Sequence, residues 1–233
     1  MIRVYPYDNL GSADHGWLKA RYHFSFSDYR NPDRMRFGKL RVINDDIVKA
    51  GHGFDMHPHD NMEIITFVRS GAISHKDSAG NEGRTVAGDV QVMSAGSGIK
   101  HSEFNLEEED TSLYQIWIFP RERDVDPRWE TTAFSKRQTK EILPLLVSGR
   151  KEDEGKGALF IHQDASIYGG QMVAGQDITQ PIQDQAYMLI SKGEVEVDGQ
   201  LARKGDGIEI TQQKSVTLKA LDNSEVILID VPV

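Results

Sequence analysis

Short apolar runs, rich in β-branched and aromatic residues and bounded by glycine-containing turns, recur along the whole chain. The first half carries "LRVIND" (40–45), "EIITFVRSG" (63–71), "DVQVMSAG" (89–96) and "LYQIWIFP" (113–120). The second half carries "AYMLISKGEVEVDGQ" (186–200), "GDGIEIT" (205–211), "SVTLKA" (215–220) and "EVILIDV" (225–231). Runs of this length and composition read as β-strands. Patterning with a period near 3.6 is scarce, and the best helix candidate, "PLLVSGR" (144–150), is short. Many short strands at regular spacing predict an all-β protein of sandwich or barrel type.

The two halves echo each other. In "EIITFVRSGAISHKDSAGNEGRTVAGDVQVMSAG" and in "AYMLISKGEVEVDGQLARKGDGIEIT" an apolar strand ends at a glycine and a second strand follows. A Gly-Asp pair (88–89 and 205–206) then opens the next strand. The pattern predicts a duplicated β-module. With 233 residues the chain accommodates two such units, expected at 1–134 and 135–233. The charged, glycine-rich "SGRKEDEGKG" (148–157) and the acidic "NLEEEDTS" (105–112) read as solvated loop and turn.

Composition narrows the function classes. The chain has no cysteine, which excludes disulfides, thiolate catalysis and thiolate metal ligands. Its net charge is −9, from 36 acidic and 27 basic residues, so nucleic-acid binding through bulk charge is not expected. No run approaches the ~18–20 apolar residues of a spanning helix. The opening "MIRVYPYDNLG" has neither a basic stretch nor an apolar h-region, and the expected location is the cytoplasm.

The candidate chemistry lies in "GFDMHPHDNMEII" (53–65). In a strand, residues i and i+2 share a face, so His57 and His59 point the same way and can converge on one ion. Pro58 removes a backbone donor, which suits an edge or bulge beside a site. A second pair at the same spacing, His101 and Glu103, follows the strand-like "VQVMSAGSG". If the two segments are sheet neighbours, His57, His59, His101 and Glu103 make a four-point site. Three neutral imidazoles and a carboxylate suit one divalent transition metal: Fe(II) first, with Mn, Co, Ni, Cu or Zn as alternatives. His15, His23, His52, His75 and His162 lack such partners and read as surface or hydrogen-bonded core histidines. On a continuous strand Glu63 would lie ~13 Å from His59, too far to share the ion.

The framework around these residues resembles the two cupin motifs. Gly51, His57, His59, Glu63 and Gly71 stand in the order of the first, and Gly88, Gly98, His101 and Asn105 in that of the second. One residue is extra before Gly71, two are extra before His101, and Ser94 stands where proline is usual. Those departures, together with "HGWLKARYHFSFSDY" (15–29), "HPHDNMEI" (57–64) and "MSAGSGIKHSEFN" (93–105), resemble the pirin family, and within it bacterial pirin-like proteins of quercetin 2,3-dioxygenase type. The resemblance implies a bicupin, two antiparallel β-barrels packed face to face, with metal only in the N-terminal barrel. It also implies that the carboxylate ligand is Glu103, the one after the last histidine, which doubles as catalytic base. The implied reaction is oxygen-dependent cleavage of a flavonol, with a small aromatic substrate and dioxygen as partners. The implied rival is a non-enzymatic, metal-dependent regulatory protein with a protein partner; a third option is another hydroxylated aromatic or enol substrate. Phe24, Phe26, Tyr29, Phe37 and Phe54 could line an apolar mouth or simply fill the barrel. The basic island Arg30, Arg34, Arg36, Lys39 and Arg41 could guide an anionic substrate, though a solvated loop is the default for such a run.

Overall fold

The computed structural model describes residues 1–134 and 138–233, and among these the chain is all-β, with three 3-10 turns and no α-helix. Among the described residues no helix is long and apolar enough to cross a membrane. The strands are β1 (Ile2–Tyr5), β2 (Gly11–Asp14), β3 (Leu18–Tyr22), β4 (Leu40–Val48), β5 (Gly53–His59), β6 (Glu63–Ser70), β7 (Ala72–Asp77), β8 (Glu82–Val86), β9 (Val90–Ser94), β10 (Ile99–Phe104), β11 (Thr111–Ile118) and β12 (Arg128–Thr132). They continue with β13 (Leu145–Ser148), β14 (Leu159–Phe160), β15 (Ser166–Met172), β16 (Asp177–Pro181), β17 (Gln185–Lys192), β18 (Glu194–Val197), β19 (Gln200–Arg203), β20 (Gly207–Ile210), β21 (Ser215–Ala220) and β22 (Ser224–Val231).

Two compact units result. One comprises Gly11–Ser135 and Leu159–Gln163; the other comprises Met1–Leu10, Lys136–Ala158 and Asp164–Val233. The division therefore differs from 1–134 and 135–233, and that expected boundary abuts 135–137, which lie outside the described residues. The N-terminal strand leaves the first unit because β1 adds to β20 in register Ile2↔Ile210, and Ile2 and Val4 pack on the apolar core of the second unit. Leu159–Gln163 joins the first unit through backbone and side-chain hydrogen bonds. The Arg121 N–H donates to the His162 carbonyl at 2.7 Å, and the Gln163 amide to that of Phe119 at 2.6 Å.

Each unit pairs a large antiparallel sheet with a four-stranded one. In the first, β12-β9-β6-β11-β4-β3-β2 stand beside β5-β10-β7-β8. In the second, the large sheet contains the run β1-β20-β17-β22-β15-β13, and the small one is β16-β21-β18-β19. The sequence echo maps onto equivalent strands: β6 turns into β7 at Gly71, and β17 into β18 at Gly193, with φ of 75° and 80°. A side chain at φ > 0 is costly, so glycine at both places fixes the same hairpin twice. "PLLVSGR" is a strand, β13, and not a helix. Leu146 and Val147 are consecutive and both buried, so this strand shows no alternation for a period-two test to find.

The cores differ where the function lies. In the second unit, register places Met188 opposite Ile208 and Leu228, all within one buried apolar cluster. In the first unit, the strands before and after the corresponding hairpins place Thr66 opposite Gln91 and Gln115. Gln115 in turn faces Asn44, which faces Tyr22. A row of buried polar side chains thus crosses the first sheet where the second is apolar. Buried polar groups are costly unless hydrogen-bonded, which marks this row as a built feature.

Candidate metal centre

β5 and β10 are neighbours, and the register sets His101 opposite His57. A bulge after His101 shifts the pairing so that Glu103 faces Phe54. Such a bulge re-aims side chains next to a site. Close strand approach depends on Gly53, where a Cβ would run into the Glu103 carbonyl and Phe104. Gly53→Ala is therefore expected to push β5 off β10. It should lower stability by about 1–3 kcal/mol and loosen metal retention, read by thermal melts and by metal content after dialysis. Unchanged values for both would show that the strands do not need this approach.

The three histidine rings meet, with centroids 4.8 Å apart for His57–His59, 4.5 Å for His57–His101 and 5.0 Å for His59–His101. Their ring nitrogens offer one ligand atom each within 4.8 Å of one another. His57 Nδ1 lies 2.6 Å from the Asp55 carbonyl. A neutral ring donating there keeps its Nε2 lone pair free for a metal. His101 is only 2% exposed, and neither of its ring nitrogens has a hydrogen-bond partner. Burial, with His57, His59 and His75 close by, pulls its pKa down to about 2. Burial and then His57 pull His59 down to about 4. Neutral imidazoles in this arrangement are poised as ligands, and a ring with both nitrogens orphaned calls for a cation.

Glu103 stands beside this cluster in a group of its own. Its carboxylate lies within 4.8 Å of His101 and of His75, while His57 and His59 share only His101 with it. The polar row holds it: the Gln91 amide donates to Oε1 at 2.5 Å, the Thr66 hydroxyl to Oε1 at 3.3 Å, and the Gln115 amide to Oε2 at 2.6 Å. Both amide orientations are set from outside. Gln91 Oε1 accepts from Thr85 at 2.9 Å and Gln115 Oε1 from Trp117 Nε1 at 3.3 Å, leaving the NH₂ groups to face the carboxylate. Burial pushes the carboxyl up to about 7, even against these three donors. Glu63 lies elsewhere: it accepts from the Ser94 hydroxyl at 2.7 Å and belongs to neither group.

His75, expected to be an ordinary core histidine, is part of the neighbourhood. It is buried, stacks on Trp129 at 5.0 Å and 10°, and its Nε2 lies 3.0 Å from Asp77. β7 pairs with β10 so that Glu103 faces His75. The signal was present in the sequence, since His75-x-Asp77 has the same i, i+2 spacing as the other pairs.

His57 and His59 line one side of a pocket of about 370 Å³. Trp17, Tyr22, Phe26, Phe54 and Trp117 give it aromatic sides. Of the five aromatics expected at a mouth, Phe26 and Phe54 are there; Phe24 and Phe37 are buried core, and Tyr29 stacks on Tyr22 at 6.2 Å. The basic island is not a uniform solvated loop. Arg34 is buried and donates through Nε and Nη2 to the His23 carbonyl at 3.1 and 2.9 Å, tying the loop to the strand before it.

A two-unit cupin architecture with a candidate divalent-metal site at the end of an aromatic pocket in one unit defines a bicupin. Residues 4–118 match the family model of Pirin, and residues 145–231 that of the quercetinase C-terminal cupin domain. A pirin-like protein of Caulobacter vibrioides is 47% identical over 99% of both chains. The quercetin 2,3-dioxygenase of Escherichia coli K12 is 39% identical over 100% of this chain and 99% of its own. The crystal structure of the bacterial pirin YhhW of E. coli in complex with nickel(II) aligns with a TM-score of 0.92 at 38% identity, covering 100% and 99% of the two chains. The chain belongs to the pirin family.

Proposed function

We propose that this pirin is a metal-dependent dioxygenase that opens the heterocyclic ring of flavonols such as quercetin, releasing carbon monoxide. What supports this reading is the triangle of His57, His59 and His101, with the buried Glu103 beside His101, next to an aromatic pocket that His57 and His59 line. His57, His59, His101 and Glu103 would hold the ion, with Fe(II) the first choice on ligand chemistry and nickel(II), bound by YhhW, among the others. When bound, the metal lowers the pKa of a coordinated hydroxyl and brings substrate and oxygen together.

The chain's own residues do the rest. Trp17, Phe54 and Trp117 offer faces and edges to a planar polyaromatic, and 370 Å³ is within the range of small-molecule sites. Glu103, near neutrality in its proton affinity, takes the hydroxyl proton of the substrate. Gln91, Gln115 and Thr66 hold the carboxylate in place while it does so. Trp117 links the two functions, because its indole N–H fixes Gln115 and its ring meets His59 at 5.0 Å, edge to face.

The test loads purified protein with Fe(II), Mn(II), Co(II), Ni(II), Cu(II) or Zn(II) in turn. Bleaching of quercetin with stoichiometric oxygen uptake and carbon monoxide is the expected result. No turnover with any metal, together with metal-dependent capture of a protein partner, would favour the regulatory alternative. A much better non-flavonoid substrate would keep the chemistry and change the substrate class.

A further inference from the structure

The aromatic pocket has a polar side that the proposed chemistry does not use. Asn44 and Asp46 stand on β4 at i, i+2 and therefore on one face, and both line the pocket. They are 4% and 2% exposed, yet Asn44 Oδ1 and Asp46 Oδ1 have no hydrogen-bond partner in the protein. A buried polar atom without a partner is a standing cost, and two side by side in a pocket wall are unusual. Neither is needed to hold Glu103, whose three donors come from other residues. Across the sheet, Asn44 pairs with Gln115, so the two groups begin one strand away from the carboxylate's own support.

Resting on the flavonol reading above, we propose that Asn44 and Asp46 are specificity-determining residues that hydrogen-bond ring hydroxyls of the substrate remote from the metal. The pocket then selects polyhydroxylated aromatics over analogues that carry only the metal-binding hydroxyl. Asn44 Oδ1 is an acceptor and asks for a donor, which a phenolic O–H supplies. Burial first, then Asp45 and Glu103, raises Asp46 well above the usual carboxylate range, which favours its protonated form, a donor as well as an acceptor. A site built to bond a hydroxyl rejects the analogue lacking it, because its buried groups stay unpaired.

The experiment compares quercetin with 3-hydroxyflavone, which keeps the metal-binding hydroxyl and lacks the others. Binding to Ni(II)-loaded protein under nitrogen is followed by quenching of tryptophan fluorescence. The expected result is a drop of about tenfold in the quercetin-to-3-hydroxyflavone affinity ratio for Asp46→Leu and for Asn44→Leu, the discrimination one buried hydrogen bond supports. Asp46→Asn, which keeps a donor and an acceptor, should hold the ratio within about threefold of wild type on the same basis. Both leucine variants should melt about 2–4 °C higher, since they remove an unpaired buried group. A ratio unchanged in the leucine variants overturns the proposal, as does a lower melting temperature with the ratio intact, or failure of both flavonols to bind. Oxygen-dependent bleaching with an unchanged ratio would leave the dioxygenase standing without the selecting pair. A shifted ratio with no oxygen uptake in air would do the reverse.

Discussion

His101→Ala is expected to drop bound metal below about one tenth of the wild-type stoichiometry, and turnover by at least ~10³-fold. His101 is the member common to both ligand groups, so its loss breaks the link between the His57–His59 pair and Glu103. The fold should survive. The ring sits in the small sheet, and both of its nitrogens lack partners, so alanine deletes no hydrogen bond and removes two orphaned polar atoms. The cavity left behind works in the opposite direction, and the metal-free melting temperature should move by only a few degrees. His57→Ala should act less completely on metal retention, because that ring is only partly buried and belongs to one ligand group, where His101 is buried and belongs to both. Elemental analysis after dialysis, paired with thermal melts of chelator-treated protein, checks all of this. An alanine variant that keeps a full equivalent of metal would remove the cluster as the metal centre.

What the sequence revealed of this site, and what it hid, follows from how each residue is recruited. His57, His59, His101 and Glu103 lie in two segments whose i, i+2 spacing declares a shared face, so each pair could be read directly. β4, β6, β9 and β11 were legible for a similar reason, being apolar runs closed by turns. The polar row was not. Asn44, Thr66, Gln91 and Gln115 are single polar residues in apolar strands; only the cross-strand register lines them up and lets Thr66, Gln91 and Gln115 converge on one carboxylate. His75 has a partner in Asp77 at the same i, i+2 spacing, but its link to the site was hidden, because His101 and Glu103, 26 and 28 residues further on, reach it only through the pairing of β7 with β10. Trp17 and Trp117 were missed as pocket walls because a half-buried aromatic on a strand looks the same whether it faces a core or a cavity.

Glu103→Gln is expected to flatten the pH dependence of metal binding and to cost about 10²–10⁴-fold in turnover. Burial holds His59 and His101 neutral well below pH 6, whereas the Glu103 proton, at about 7, competes with the metal near neutrality. Below that pH wild-type affinity should fall by about tenfold per unit; above it the affinity should level off. The same proton affects the stability of metal-free protein. The folded carboxyl titrates at about 7 against an ordinary value of 4.5, so the native state holds more protons than the unfolded chain between those limits. Stability is full below about 4.5 and declines as pH rises to about 7, by on the order of 3 kcal/mol, and metal binding offsets that loss. Glutamine has no such proton and should show neither slope. It does bring an NH₂ group against the amides of Gln91 and Gln115, both locked by Thr85 and Trp117, so one of them must turn and surrender its outer bond. If that amide is Gln115, tryptophan fluorescence of the metal-free variant should shift as Trp117 loses its acceptor. Isothermal titration with Ni(II) from pH 5.5 to 8.5 reads the slope directly. A wild-type affinity that ignores pH across that range, or a glutamine variant that keeps the full slope, would move the titrating proton off Glu103 and take the catalytic base with it.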